Sequence, residues 1–252
     1  MSQGREGLAA CSSRANANPA KSLQPASTVR ENVAPQGFDT GYFGAGRTPT
    51  AISTVDRIDY SNDTATAVAK GPLSVTRTYP GSTGNANFGY FGGNWGPLST
   101  VDRIDYSNDT PTAAVKGPLS SARGYISATG NDNFGYFCGG YSPLSTVDRI
   151  DYSNDTATAL ARGPLTIIRA LQGATGNDNF GYIGGGYPGT KSSVDRIDYS
   201  NDTPTAVQKG PLTAGQSYFA ATGNASFGYF GGGSTPGAVS YTHLTLPTIL
   251  RV

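Results

Sequence analysis

One ten-residue stretch, VDRIDYSNDT, occurs four times in this 252-residue chain, starting at residues 55, 101, 147 and 194. The starts are about 46 residues apart, which is the length of one supersecondary unit and not of a domain. A second series follows the same spacing: GYFGA at 41–45, GYFGG at 89–93, GYFCG at 135–139, GYIGG at 181–185 and GYFGG at 228–232. Units of this size cannot bury their apolar surface alone, so the chain must stack them against one another.

Each unit predicts four β-strands, as the third unit illustrates. The first strand, RGYISAT, ends at the favoured tight-turn pair Gly130-Asn131. NFGYFCG and STVDRIDY provide the second and third strands, and the short fourth strand stops before Gly163-Pro164, because proline has no N–H to donate. The predicted class is therefore all-β, with the first strands centred near residues 30, 79, 125, 171 and 218. Abundant glycine (35) and tyrosine (15) favour this class over helices.

The units resemble the kelch repeat in three features. These are a double glycine after an aromatic strand, an acidic strand that ends in a turn, and a Pro-Leu-Ser-x-x-Arg segment before a hairpin. The resemblance covers residues 24–238 and implies a β-propeller. We place full blades at 24–70, 71–116, 117–162 and 163–209 and a half blade at 210–238, as expected for a fragment of a larger ring. Kelch repeats carry a tryptophan on the fourth strand, where this chain has Ala67, Ala113, Ala159 and Ala206.

Both ends of the chain depart from the repeat. Residues 1–23 are rich in Ala, Ser and Asn and are predicted to form a disordered segment. Residues 239–248, VSYTHLTLPT, resemble a translated sequencing-library adapter, so 239–252 is interpreted as an artefactual tail; a genuine C-terminal strand is the alternative. The sequence shows no apolar signal-peptide core and no apolar run of ~18 residues, which predicts no signal peptide and no membrane insertion; localisation stays open.

The repeated motif itself predicts contacts between blades. Its third-strand arginine would be covered on both sides, and a buried arginine requires carboxylates from its own strand or from an adjacent blade. We assign this structural role to Arg57, Arg103, Arg149, Arg196, Asp59, Asp105, Asp151 and Asp198. The alternative is calcium binding by the turn carboxylates Asp63, Asp109, Asp155 and Asp202.

Catalytic side chains are scarce in the sequence. The single histidine, His243, lies outside the repeats, so nucleophile–histidine systems have no base and zinc has too few ligands. Cys138 stands where other units have glycine and is interpreted as a drifted small residue. The net charge of +1 provides no overall field for nucleic acid. We expect no enzyme, cofactor, metal or nucleic-acid partner; an enzyme of the kelch fold is the least favoured alternative.

Function is expected where the copies differ and on loops. Five residues after the tyrosine of each GYF/GYI segment the chain has Arg47, Trp95, Tyr141 and Tyr187. The fourth strands end, on the predicted same face, in Lys70, Lys116, Arg162 and Lys209. These eight residues predict a surface that binds a glycan or a protein. The alternative is a structural spacer in a phage or viral tail fibre or a surface appendage, and the oligomeric state is left open.

Overall fold

The computed structural model describes residues 9–11, 40–47, 49–141, 144–234 and 242–245. In this part of the chain the strands form five antiparallel sheets, four with four strands and the last with three. The strands follow chain order within each sheet, so every sheet is a meander. The only helical turns there are short 3₁₀ segments at Tyr60–Asn62 and Tyr152–Asn154. The all-β prediction is confirmed.

The strand bounds repeat from sheet to sheet. Sheet 1 has β1 (Ala9–Cys11), β2 (Thr40–Gly44), β3 (Val55–Asp59) and β4 (Val68–Lys70). Sheet 2 has β5 (Gly81–Gly84), β6 (Phe88–Gly92), β7 (Val101–Asp105) and β8 (Ala114–Lys116). Sheet 3 has β9 (Ser127–Gly130), β10 (Phe134–Cys138), β11 (Val147–Asp151) and β12 (Leu160–Arg162). Sheet 4 has β13 (Gly173–Gly176), β14 (Phe180–Gly184), β15 (Val194–Asp198) and β16 (Val207–Lys209). Sheet 5 has β17 (Ser217–Gly223), β18 (Phe227–Ser234) and β19 (Thr242–Thr245).

The two repeated segments pair with each other at the centre of each sheet. In sheet 2, the pairing runs from Phe88 opposite Asp105 to Gly92 opposite Val101. The same five-residue register recurs in sheets 1, 3 and 4. The repeat in the sequence is therefore a repeat of one antiparallel strand pair. In each of these sheets, the loop that joins the second strand to the third lies at one end of this pair.

The first strands begin later than the sequence predicts. Residues Tyr79, Tyr125 and Leu171 have φ values of 57°, 56° and 58°, which lie in the left-handed region. This conformation interrupts regular strand pairing, so β5, β9 and β13 start two residues after it. In sheet 5, β17 runs through the equivalent Tyr218, which has no partner in the register with β18. The predicted strand centres near residues 79, 125 and 171 fall on these turns.

The ends of the chain also differ from the expected pattern. Ala9–Cys11 lies in the segment predicted to be disordered, yet it pairs with β2 and satisfies the backbone groups of that strand's outer edge. The predicted first strand near residue 30 lies outside the described residues. Thr242–Thr245 pairs with β18, in the place that VDRID occupies in the other sheets. The adapter resemblance of residues 239–252 stays a prediction.

The core lies between successive sheets. One buried cluster joins sheets 1 and 2 through Tyr42, Val55, Phe91 and Ile104, and later clusters repeat this arrangement. A glycine at the end of the second strand accommodates an aromatic ring of the next sheet: a Cβ on Gly92 would lie 2.8 Å from Phe137.

Sheet 3 has Cys138 at this glycine position, and sheet 4 has the smaller Ile183 where its neighbours have phenylalanine. Both side chains are fully buried in one cluster. The smaller isoleucine explains how the thiol fits. Burial raises the pKa of the Cys138 thiol to about 12.

Candidate ligand-binding surface

The loops between the second and third strands carry the residues that the sequence singles out. After β6 the chain turns at Gly93, whose φ of 75° and whose close approach to Ile126 exclude a side chain. The next residues project beyond the sheet edge. Trp95, Tyr141 and Tyr187 are 48%, 53% and 44% exposed, respectively. Large apolar rings this exposed are typical of binding surfaces and not of the core.

Arg47 belongs to the same surface. Its guanidinium carbon lies 4.9 Å from the centroid of the Trp95 ring, and its Nε donates a hydrogen bond of 2.8 Å to the Pro49 carbonyl. The cation–π contact joins a loop of sheet 1 to a loop of sheet 2. The structure thus brings together two of the four predicted loop residues in direct contact.

Three tyrosines that the sequence reasoning missed extend this surface: Tyr79, Tyr125 and Tyr218. Tyr125 stacks on Tyr79 with a centroid distance of 5.0 Å and lies 5.5 Å from Tyr141. Tyr218, from sheet 5, meets Tyr79 edge-on at 6.4 Å. Burial is the main cause that raises the pKa of Tyr125, and the neighbouring Tyr218 and Tyr79 raise it further. The sequence does mark these three positions, because each tyrosine stands two residues after the last residue of a Pro-Leu-Ser/Thr-x-x-Arg/Gln segment.

The backbone holds this row of residues in one place. Leu171 N donates to the Tyr125 carbonyl and Tyr218 N donates to the Leu171 carbonyl, each at 3.0 Å. Tyr79 and Tyr218 have φ values of 57° and 59°, which for bulky residues costs of order 1–3 kcal/mol. Tyrosines with this left-handed backbone conformation occupy equivalent positions in three sheets, and their rings form a row on one surface. We call Arg47, Trp95, Tyr141, Tyr187, Tyr79, Tyr125 and Tyr218 the aromatic surface.

Three of the four predicted cations do not join this surface. Lys116 ends β8 at the same sheet edge as Trp95, but its Nζ lies 3.1 Å from Asp155 Oδ1 and its side chain is 14% exposed. Lys70 pairs with Asp109 at 3.1 Å, and Arg162 lies 3.5 Å from Asp202. The prediction overlooked that the fourth strand ends against the turn of the following sheet, where a carboxylate neutralises the cation. We therefore leave these three residues out of the ligand surface.

The repeated arginine meets the same turn carboxylate. Arg103 Nη1 lies 2.8 Å from Asp155 Oδ2, and Tyr90 Oη donates to this oxygen at 2.9 Å. The equivalent carboxylates Asp109 and Asp202 receive the same two donors from the preceding sheet. Burial alone would raise the pKa of Asp109, but hydrogen bonds from Tyr42 and Lys70 and the charge of Arg57 lower it overall. Each turn carboxylate therefore joins two sheets.

The last aspartate of the VDRID strand makes different contacts from those that the sequence predicts. Asp105 Oδ1 accepts hydrogen bonds from Ser107 N at 2.9 Å and Ser107 Oγ at 2.6 Å, within its own sheet. The same arrangement recurs at Asp59, Asp151 and Asp198. Hydrogen bonds from Ser107 lower the pKa of Asp105. The assignment of these aspartates to contacts between blades is corrected: they cap the turn, because a strand-end carboxylate reaches the backbone two residues on.

The fully buried ion pair belongs to another arginine. Arg123, from the Pro-Leu-Ser-x-x-Arg segment, has no exposed surface, and its Nη2 lies 2.6 Å from the buried Asp148. Its Nη1 also donates to the carbonyls of Gly139 and Thr146. Arg77 with Asp102 and Arg169 with Asp195 repeat the pair. This arginine fixes the connection between sheets to the third strand of the next sheet.

The calcium alternative finds no support in these contacts. The turn carboxylates Asp109, Asp155 and Asp202 already receive tyrosine, arginine and lysine or arginine donors. Within the described ranges, no three His, Cys, Asp or Glu side chains converge as metal ligands.

A polar cleft of about 380 Å³ lies on the opposite side of the sheets. Asp132 and Asn133 contribute to it from a turn of sheet 3, together with Asp151 and Tyr152. Asp151 is committed to capping Ser153. The cleft is therefore a by-product of the turns, and the aromatic surface remains the stronger candidate.

Comparison with protein-family models gives no match, and comparison with curated proteins gives none either. Among the described residues, no helix has the length and hydropathy needed to cross a bilayer.

Proposed function

We propose that this chain is a non-enzymatic recognition module that binds a glycan or a protein partner through the aromatic surface. We further propose that its sheets are the blades of a kelch-like β-propeller. The observation that carries the function is the set of exposed rings of Trp95, Tyr141, Tyr187 and Tyr218, which neither pack into the core nor belong to the repeated contacts.

The contacts between sheets support the propeller arrangement. First strands of successive sheets lie against one another, β5 on β9, β9 on β13 and β13 on β17. The Tyr79–Tyr218 contact brings sheets 2 and 5 together, although two sheets separate them along the chain. Sheets that share one line of first strands and return toward each other are what a propeller axis requires.

The chemistry of the surface supports recognition. Ring faces of tryptophan and tyrosine bury large apolar area at little entropic cost, and their polar tips accept or donate hydrogen bonds. Such rings stack on sugars and anchor protein partners. Arg47 adds a charge that favours an anionic group on the ligand.

The test begins with a glycan array and a protein array probed with the full chain, followed by titration of the best ligand. Changing Trp95 to Ala is expected to weaken binding by about 2 kcal/mol, roughly 30-fold, as for an aromatic hot spot. Its effect on the free energy of unfolding is expected to stay within about 0.5 kcal/mol, because the ring is half exposed.

Tyr60→Ala is the matched control, since Tyr60 is 41% exposed and follows β3 at the opposite sheet edge. It should leave ligand binding unchanged. Array ligands whose binding does not depend on Trp95, or no ligand at all, would favour the structural spacer over the recognition module.

A further inference from the structure

The turn after each third strand of sheets 1 to 4 contains the same tripeptide, Asn-Asp-Thr. A related tripeptide, Asn-Ala-Ser, lies in a turn of sheet 5. An asparagine that is followed by any residue except proline, and then by serine or threonine, is the sequence at which an oligosaccharide is transferred to the asparagine side chain. The five candidate asparagines are Asn62, Asn108, Asn154, Asn201 and Asn224. Their structural surroundings differ, and these differences separate the five positions.

The turns of sheets 1 to 4 present both required side chains to solvent. In each of them the asparagine and the threonine are exposed. The aspartate between them is buried at Asp109, Asp155 and Asp202, and Asp155 is held at 2.8 Å by Arg103 of the preceding sheet. The aspartate therefore fixes the turn to the neighbouring sheet, while a sugar on Asn154 extends into solvent and displaces no contact between sheets.

In two of these turns the threonine hydroxyl lies against the asparagine amide. Thr156 Oγ1 donates to Asn154 Oδ1 at 3.4 Å, and Ala157 N closes the same turn by donating to the Asn154 carbonyl at 3.4 Å. The turn at Asn62 repeats both contacts, each at 3.3 Å. Among the described residues, no hydrogen bond uses the amide nitrogen of Asn62 or Asn154. Both turns thus hold the hydroxyl beside an amide whose nitrogen is accessible.

The other two turns have proline after the threonine, at Pro111 and Pro204. Proline has no N–H, so the hydrogen bond that closes the turn at Asn154 cannot form. Proline also restricts the residue before it to extended conformations. In the described part of the chain, neither of these threonine hydroxyls contacts its asparagine. The same tripeptide therefore has two geometries, and the residue that follows it decides between them.

The asparagine of sheet 5 is committed to a different contact. Asn224 Oδ1 accepts hydrogen bonds from Ser226 N and Phe227 N, both at 2.8 Å, so its side chain caps the tight turn between β17 and β18. Transfer of a sugar to this amide requires the cap to open.

We propose that Asn62 and Asn154 are acceptor sites for an N-linked oligosaccharide. A transferase that requires both an asparagine and a threonine recognises the amide and the hydroxyl together. Within the described ranges, these two turns are the ones that present both groups side by side.

The reaction is a glycosyl transfer from an oligosaccharide carried on a polyprenyl diphosphate. The side-chain nitrogen of the asparagine forms a bond to the anomeric carbon of the first sugar. The bond between that carbon and the diphosphate oxygen breaks, and the polyprenyl diphosphate leaves with the electron pair. One amide proton passes to a base of the transferase. No oxidant or reductant is needed.

The acceptor turns lie away from the aromatic surface. They follow the third strands, whereas the loops that carry Trp95, Tyr141 and Tyr187 precede the third strands and lie at the opposite end of each sheet. Oligosaccharides on Asn62 and Asn154 therefore leave the aromatic surface uncovered. The proposal does not depend on the recognition function.

The test incubates the folded full chain with a purified oligosaccharyltransferase and a polyprenyl-diphosphate-linked oligosaccharide, and quantifies glycopeptides by mass spectrometry. The enzyme and the sugar donor are both supplied, so the result does not depend on where the protein resides. Occupancy at Asn62 and Asn154 is expected to exceed that at Asn108, Asn201 and Asn224 at least about fivefold, as for the loss of one hydrogen-bonded arrangement. No transfer at Asn62 and Asn154, or equal occupancy at all five positions, would overturn the proposal.

Thr156→Val tests the role of the hydroxyl, because valine keeps the shape of the side chain without its oxygen. It should abolish transfer to Asn154 and leave transfer to Asn62 in the same molecule unchanged, which makes Asn62 an internal control. Thr156→Ser keeps a hydroxyl and should retain transfer to Asn154. Full occupancy of Asn154 in the valine variant would contradict recognition of the paired groups.

Pro111→Ala tests the role of the turn by gain of transfer. The variant has the sequence NDTATA at 108–113, which is identical to residues 154–159 of the unaltered chain. Occupancy at Asn108 is expected to rise to about that of Asn154, because an N–H is restored to close the turn.

Ala157→Pro makes the reverse change and should lower occupancy at Asn154 at least about fivefold. The fold tolerates both residues, since sheets 2 and 4 have proline at this position and sheets 1 and 3 have alanine. Circular dichroism of both variants checks this. Unchanged occupancy in both variants would show that the turn geometry does not select the acceptor and would overturn the proposal.

Discussion

Changing Arg123 to Met is expected to lower the free energy of unfolding by about 3–5 kcal/mol. The guanidinium and Asp148 are both fully buried, and the pair distance is 2.6 Å. Without the arginine, the Asp148 carboxylate keeps the hydrogen bonds donated by Ser120 but loses its counter-charge. The carbonyls of Gly139 and Thr146 lose the hydrogen bonds that Arg123 donates to them. Methionine keeps most of the volume, so the loss measures the charge and the hydrogen bonds.

Equilibrium unfolding in urea followed by circular dichroism measures this effect. Arg103→Met is the control, because Arg103 is 22% exposed and Asp155 keeps Tyr90 and Lys116 as partners. About 1 kcal/mol is expected there. Equal losses in the two variants would contradict the distinction between the buried pair and the partly exposed one. The double change Arg123→Met with Asp148→Asn should recover part of the stability, because the uncompensated charge is removed.

Changing Gly117 to Val is expected to cost about 3 kcal/mol or more, because the new side chain collides with the Ala157 carbonyl of the next sheet. The collision also breaks the 2.8 Å hydrogen bond from Gly117 N to the Asp155 carbonyl. Its φ is not in the left-handed region, so the cost comes from packing between sheets 2 and 3 and not from backbone strain.

A thermal or urea melt of Gly117→Val should be compared with that of Gly96→Val. The Gly96 variant is expected to lie within about 0.5 kcal/mol of the unaltered chain, because its Cβ meets open space. A Gly117 variant as stable as the Gly96 variant would show that the sheets do not approach as closely as the structure has them.

The repeated strand pair was predictable because its pattern is local. Alternation along VDRID and the glycines of GYFGG define two strands, and the turn residues between the units define their ends. The late start of the first strands was not predictable in the same way, since nothing in the residues Tyr79 or Tyr125 favours a positive φ. Contacts with the neighbouring sheets impose it.

Partners between sheets were harder to predict than strands. Arg57 meets Asp109, 52 residues further along the chain. The sequence shows that an arginine of the motif needs a carboxylate, but the three aspartates of each motif leave the choice open. In the structure, one aspartate caps the turn, one forms the buried ion pair with an arginine such as Arg77, and one makes the contact between sheets. How the sheets pack against one another determines which aspartate takes which role.

The candidate surface was predictable where the copies diverge. Trp95, Tyr141 and Tyr187 stand at one loop position that varies from unit to unit, and all three are exposed. The sequence could not exclude Lys70, Lys116 and Arg162, because their carboxylate partners come from another sheet. The sequence analysis also did not identify the row from Tyr79 to Tyr218, because these rings reach the surface only through the left-handed backbone conformation of their residues.

Hydrogen–deuterium exchange of the full chain, with and without its array-identified ligand, tests most directly whether ligands bind at the aromatic surface and not at the repeated motif. Slower exchange is predicted in the loops at 93–98, 139–141 and 185–189, with no change in the turns at 106–110 and 152–156. Slower exchange confined to the turns, with the three loops unchanged, would show that the ligand binds at the repeated motif and would contradict binding at the aromatic surface.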